Sequence, residues 1–189
     1  MERSLLIKEV IPFFLMFASL IGAAILTDFL LHQLQLIWLG RYLGIPGTLI
    51  IILSFLYSLR KRKIIQTGSP KKLLQFHESC AWLGSLLILV HGGIHFNAIL
   101  PWLAIVAMLI DVISGLIGKY LLKRSQKQIS SQKKKLMEQG MSNDEIEKAI
   151  FWDAITLDLM KQWRAVHFPL TFVFAVLSLI HIVSIFLFW

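Results

Sequence analysis

The sequence predicts an all-α membrane protein with five transmembrane helices. Three observations carry this. Hydrophobic residues make up 57% of the 189-residue chain, and its mean hydropathy is +0.71. Most of those residues fall in five long apolar runs, numbered about 10–31, 43–59, 76–96, 102–122 and 167–189. Four of the intervening or flanking segments are short, and only 123–163 is long and polar. A chain crossing lipid must satisfy its own backbone hydrogen bonds, so helices are the default. Residues 1–189 are expected to form one membrane domain with a helical insert at about 123–163.

The first run is as long as a bilayer requires and longer than the apolar part of a secretory signal. A retained helix is expected. Pro12 is tolerated near its start, because first-turn amides have no helical partner. Asp28 and His32 lie at its far end. A short connection, 32–40, carries Trp38 and leads to Arg41 and Tyr42, residue types that anchor at interfaces. The second run starts irregularly, at Gly44, Pro46 and Gly47.

Six basic residues and no acidic one lie between Arg60 and Phe76, starting with Arg60-Lys61-Arg62-Lys63. Basic loops stay in the cytoplasm. The expected orientation is therefore amino terminus inside and carboxyl terminus outside, in a prokaryotic inner membrane. The net charge of +8 belongs to such loops and contacts with membrane lipid, not to nucleic acid. The third run then leads outward and the fourth returns, with Lys119, Lys123 and Arg124 marking the inner edge. Ser114, Gly115 and Gly118 on the fourth run permit close approach of a helix or a cofactor. Asp111 lies about mid-membrane, near the depth of Gly84; an intramembrane carboxylate is a candidate to tune a cofactor or carry protons.

The insert reads as a cytoplasmic helical hairpin. A piece at 129–139 ends at Gly140. Ser142-x-x-Glu145 is a capping box that opens an amphipathic helix through about 163. Ile146, Ala149, Ile150, Asp153 and Leu157 lie roughly along one side of it. The insert is too small for a nucleotide or flavin domain and has no glycine fingerprint. No NAD(P)H or flavin site is expected in this chain. Cys80 is the single cysteine and reads as a small buried residue.

The histidines organise the rest. His77 and His91 lie fourteen residues apart in the third run, and His167 and His181 in the fifth are spaced identically. Fourteen helical residues rise about 21 Å over nearly four turns. Each pair therefore falls on one helix face, near the two edges of a hydrocarbon layer about 30 Å thick. One histidine at a helix end can simply face headgroups; two pairs at one spacing argue for more. Two such helices side by side would present two His–His pairs stacked across the membrane, as bis-imidazole ligation of two b-type haems requires. The same faces read His77, Ala81, Gly84, Ile88, His91 and His167, Thr171, Phe174, Ser178, His181. Gly84 would give a flat macrocycle room, and Phe174 would fill the gap between two stacked haems. His95 is one turn beyond His91 on the same face, so either could bind the outer iron; the matched spacing favours His91. Arg164, like the Arg60 to Lys63 run, could pair with inner haem propionates, and Arg41 could serve the outer haem.

His77-x13-His91 on a third helix and His167-x13-His181 on a fifth resemble the transmembrane haem domain of NADPH oxidases and ferric reductases. Phe174 between the levels is also similar. His91-Gly92-Gly93, the run from Ser114 to Tyr120, and Trp163-Arg164 look like small prokaryotic cytochrome b membrane subunits. The resemblance covers about residues 73–189. It implies a haem-bearing, electron-carrying subunit of an oxidoreductase. Its ends would exchange electrons with partners: a flavin or iron–sulfur protein or membrane quinone inside, a cytochrome c or ferric chelate outside. A rival from another class is a non-redox membrane subunit, or a transition-metal protein using His91 and His95 with Asp28 or His32.

Overall fold

A computed structural model describes residues 11–94 and 98–188. Among them are helices and no strand: α1 (Ile11–Gln33), α2 (Ile37–Tyr42), α3 (Gly44–Ser54), α4 (Leu56–Lys61), α5 (Pro70–Ile94), α6 (Ile99–Leu116), a π-helical segment (Ile117–Leu122), α7 (Lys123–Glu138) and α8 (Asn143–Phe188). Five stretches are long and apolar enough to cross a membrane: α1, the α2–α4 run Ile37–Lys61, Pro70–Gly93 of α5, Ile99–Tyr120, and Ala165–Phe188 of α8. The protein is a helical integral membrane protein, as its sequence predicts.

Exposure follows from lipid as solvent. Large apolar side chains such as Phe172 (65% exposed) and Leu179 (62%) line the outer face of α8. On the opposite face His167, Thr171, Ser178 and His181 are half-buried and Phe174 is buried. The three–four alternation read from the sequence is the inward face of this helix.

α5 packs on α3, α1, α4 and α2 on one side and on α6 on another, while α8 packs on α6 and α7. α5 and α8 are not close backbone neighbours among the described residues. They approach through their side chains. Two apolar clusters fill the bundle. One joins Ala104, Ala107, Met108 and Phe174, with Ile51, Ile88, Leu89 and Leu177 packed on it. The other joins Ala24, Leu31 and Val90.

Several element boundaries differ from expectation. The second span begins at Ile37, so Trp38, Arg41 and Tyr42 lie on α2 rather than in and after a connection. Before it Gln35 adopts a positive φ of 55°, and the Leu36 amide returns to the Leu31 carbonyl at 2.8 Å; this closure ends α1. α5 starts at Pro70, six residues earlier than read, because proline suits a first helical position. The Ser69 hydroxyl accepts the Lys72 amide at 3.5 Å there.

The largest difference lies in the insert. The hairpin is present, with α7 packed on α8 and Gly140 at φ 77° in its turn. The capping box forms as read: the Ser142 amide donates to Glu145 Oε2 at 2.9 Å, and the Glu145 amide donates to Ser142 Oγ at 3.3 Å. Ile146 and Ile150 are buried. However, the amphipathic helix does not stop before the fifth span. Both are parts of α8, 46 residues long, with Pro169 inside it. Likewise α7 follows the fourth span through the π segment without a break.

Candidate functional site

The two levels of histidines meet across the gap between α5 and α8. The His77 and His167 ring centres are 6.4 Å apart, and those of His91 and His181 are 6.5 Å apart. Two metal–nitrogen bonds of about 2 Å, continued to each ring centre, span about 6.3 Å. Both separations therefore suit two axial imidazoles sharing one metal ion. The four residues singled out by spacing are brought together in the pairs that spacing implies.

The orientation of the α5 histidines comes from the second span. That span is broken at Leu43 and at Phe55, between α2, α3 and α4. Carbonyls near helix ends have acceptor capacity to spare; that of Gly40 also takes the Leu43 amide at 3.2 Å. Near one break His77 Nδ1–H donates to the Ser54 carbonyl at 3.1 Å. Near the other His91 Nδ1–H donates to the Gly40 carbonyl at 3.3 Å. A carbonyl only accepts, so the proton sits on Nδ1 and the lone pair on Nε2, the nitrogen a metal would take. Gly40 and Ser54 are fourteen residues apart, like the histidines they serve. Tyr57 adds a ring 5.7 Å from that of His77.

His167 is held differently. Its Nδ1 lies 2.8 Å from Asp111 Oδ1 and 2.6 Å from Ser114 Oγ. It is also 3.2 Å from the Asp111 carbonyl. The Ser114 hydroxyl itself donates to that carbonyl at 2.7 Å. The Thr171 hydroxyl donates to Asp111 Oδ2 at 2.7 Å. Asp111 is thus at the level of His167, not at the depth of Gly84 as counting along the apolar run suggests. Gly115 lies beneath the same ring: a Cβ there would sit 3.7 Å from His167 Cε1. Lys119 of the π segment pairs with Glu78, the residue after His77, at 2.8 Å. Arg62 lies over the Phe168 ring at 4.4 Å, which puts one member of the basic run beside this level.

Gly84 is a correction. It was expected to face a macrocycle between the third and fifth spans. A Cβ on Gly84 would instead lie 2.6 Å from Ile51 Cγ1 and 3.0 Å from the Gly47 carbonyl. Its smallness serves the crossing of α5 with α3. A glycine marks close approach without saying what approaches. The glycine that makes room for a histidine ring is Gly44, where a Cβ would meet His91 Cδ2 at 2.8 Å. Phe174 is 7% exposed and occupies the layer between the two histidine levels, against Ala104, Ala107 and Met108.

His95 lies outside the described residues. Arg164 sits on α8 three residues before His167, with its side chain also outside the described ones. His32 turns back on its own helix, Nδ1 bonding the Asp28 carbonyl at 2.8 Å. Asp28 reaches the His91 level, its Oδ1 3.6 Å from where a Gly93 Cβ would stand. Among the described residues no group of three or more His, Cys, Asp or Glu gathers as a metal site. Sequence reasoning missed Tyr57, Gly44's contact with His91, and the carbonyls of Gly40 and Ser54. The only hint was the irregular Gly–Pro–Gly start of the second span. Comparison with known proteins adds no relative: no family model, curated protein or solved structure matches the chain.

Proposed function

We propose that this protein carries electrons across a membrane through two haem b groups, as the membrane subunit of a redox complex. The observation that carries the reading is the pairing of His77 with His167 and of His91 with His181, at separations of 6.4 and 6.5 Å. Paired imidazoles would fill both axial positions of each iron, so the haems would supply one-electron chemistry without an open position for substrate. The residues around them do the rest. The backbone carbonyls of Ser54, Gly40 and Asp111 would hold ligand tautomers. Phe174 and its neighbours keep the intervening layer apolar. The basic end, with Arg60 to Lys63 and the α7–α8 hairpin, faces the cytoplasm. It is the docking end for a flavin or iron–sulfur partner, or meets membrane quinone. A cytochrome c or ferric chelate exchanges electrons at the far end.

A reduced-minus-oxidised spectrum of the purified chain tests this. The expected result is a b-type spectrum and two haems per chain by pyridine haemochromogen. His77→Ala or His167→Ala should remove the basic-end haem and keep most of the other, and His91→Ala or His181→Ala should do the reverse. A colourless wild-type protein ends the haem reading and favours a non-redox or transition-metal subunit.

A further inference from the structure

The α7–α8 hairpin lies between two membrane spans, the second of which begins at Ala165. Its α8 arm runs into that span without a break. Phe151, fourteen residues before Ala165, therefore stands about 21 Å along the helix from the span. Phe151 is 52% exposed there, and Met137 on the other arm is 50% exposed. Large apolar side chains facing lipid need no explanation, but gathered in water they mark a surface for association. Phe151 belongs to an exposed row on α8: Asp144, Glu147, Phe151, Ala154 and Asp158. The three–four spacing is that of one helix face, apolar in the middle and acidic at its ends. Asp144, Glu147 and Phe151 also line a shallow depression with Lys148. The buried Ile146 and Ile150 lie on another side of the helix, the one turned to α7. An exposed row of opposite charge runs along α7: Ser130, Lys133 and Met137, with Lys134 beside it. At 100° per residue from the half-buried Ile129, Gln132 and Leu136, this row falls on the same flank of the hairpin as the α8 row. The rows also match in height. Met137 is three residues before Gly140 and Asp144 three after Met141. Lys134 and Glu147 are each six away in the same count, and Ser130 and Phe151 each ten.

We propose that this flank docks on the same flank of a second copy of the chain, so that two hairpins form an antiparallel four-helix bundle outside the membrane. Two copies in one membrane share an orientation. Their two-fold axis then runs along the membrane normal, and residues of equal height meet. α7 of each copy faces α8 of the other, as in other up-and-down bundles. Lys133 and Lys134 meet Glu147 of the second copy, and Phe151 packs over the small Ser130. An apolar centre with charged edges is the ordinary anatomy of an interface. Lys134 also approaches Glu138 on its own helix at 3.9 Å, but both side chains are mostly exposed, and such a pair holds weakly. The acidic ends of the α8 row oppose contact with anionic lipid. A flank that carries both signs in matched order selects its own complement over a surface of one sign. The dimer does not depend on the haem reading.

The test is the mass of the full chain in mild detergent, read by light scattering over a dilution series with the detergent's share subtracted. Wild type should give twice 21.7 kDa and dissociate more readily in high salt. Glu147→Lys should raise the dissociation constant about tenfold or more, because it sets like charges face to face. Lys133→Glu together with Lys134→Glu should do the same. A chain carrying all three changes should regain the dimer. All three residues are exposed, so circular dichroism should show unchanged helix content in each variant. If a reversal loses helix content, Phe151→Ser decides: a weakened dimer supports the proposal and an unchanged one overturns it. A monomeric wild type overturns it, and so does a dimer that the charge reversals leave intact, which would be joined through its spans. Loss of the dimer in each reversal without recovery in the combined chain overturns it as well. A monomer that binds a different protein through Glu147 assigns this flank to that protein and overturns the second copy.

Discussion

At Gly44 a single added methyl would press on the His91 ring, and at Gly84 it would press on a helix. The two glycines therefore predict different failures. Gly44→Ala places a Cβ 2.8 Å from His91 Cδ2; the ring must move, at a cost of about 1–3 kcal/mol. On the haem reading proposed above, it should lower haem occupancy at the His91–His181 level and spare the other, read by haemochromogen content. Gly84→Leu should instead lower the thermal midpoint of the bundle, with or without haem, because it wedges α5 from α3. The histidines were legible because fourteen residues nearly close four helical turns, so spacing alone gives both face and depth. Gly84 and Asp111 were misread for a shared reason. Residue type and depth along one span do not reveal which neighbour stands opposite. Asp111 gains its meaning from His167 and Thr171 on another helix.

Elements were legible where the chain meets one solvent and less so where it changes solvent. The five apolar spans are present, two of them starting about six residues earlier than read, and the capping box forms as read. The join within α8 does not, because the pattern changes from amphipathic to apolar while the backbone simply continues. A helix passing from water into lipid alters its composition without needing an end. The capping box gives a prediction at this scale. The Ser142 amide holds the Glu145 carboxyl below its usual value. A group lowered in the folded state contributes stability above its unfolded value and loses it as pH falls through the folded one. The protection of amides at the start of α8, taken relative to their intrinsic exchange rate at each pH, should therefore fall in acid. Ser142→Ala should raise exchange there at neutral pH as well, with the membrane spans unchanged. Equal exchange in wild type and variant would mean the cap contributes nothing.

For the whole molecule, the two long helical runs Ile99–Glu138 and Asn143–Phe188 carry the hairpin and the α8 histidines as one antiparallel unit. α1 to α5 form the other wall. The histidine pairs join the two walls. Orientation follows from charge: a reporter active only outside the cytoplasm should work when fused after Trp189 and be silent near Ser130. The reverse result would exchange the compartments assigned to the two histidine levels. Sequence could anticipate the two walls only in part. Apolar runs are counted easily, but their order around the bundle depends on packing partners that no single run encodes.

The breaks in the second span have an evolutionary consequence. The groups that fix the tautomers of His77 and His91 belong to the backbone, so no point substitution can delete them. The device tolerates drift in side chains and is vulnerable to a change in length. Leu49, on α3 between the two carbonyls, is 57% exposed, and Leu49→Ala should leave haem content intact. Deleting Leu49 turns one carbonyl about 100° relative to the other, so the span can serve one histidine or the other but not both. On the haem reading, the deletion should cost one haem even though all four histidines are still present.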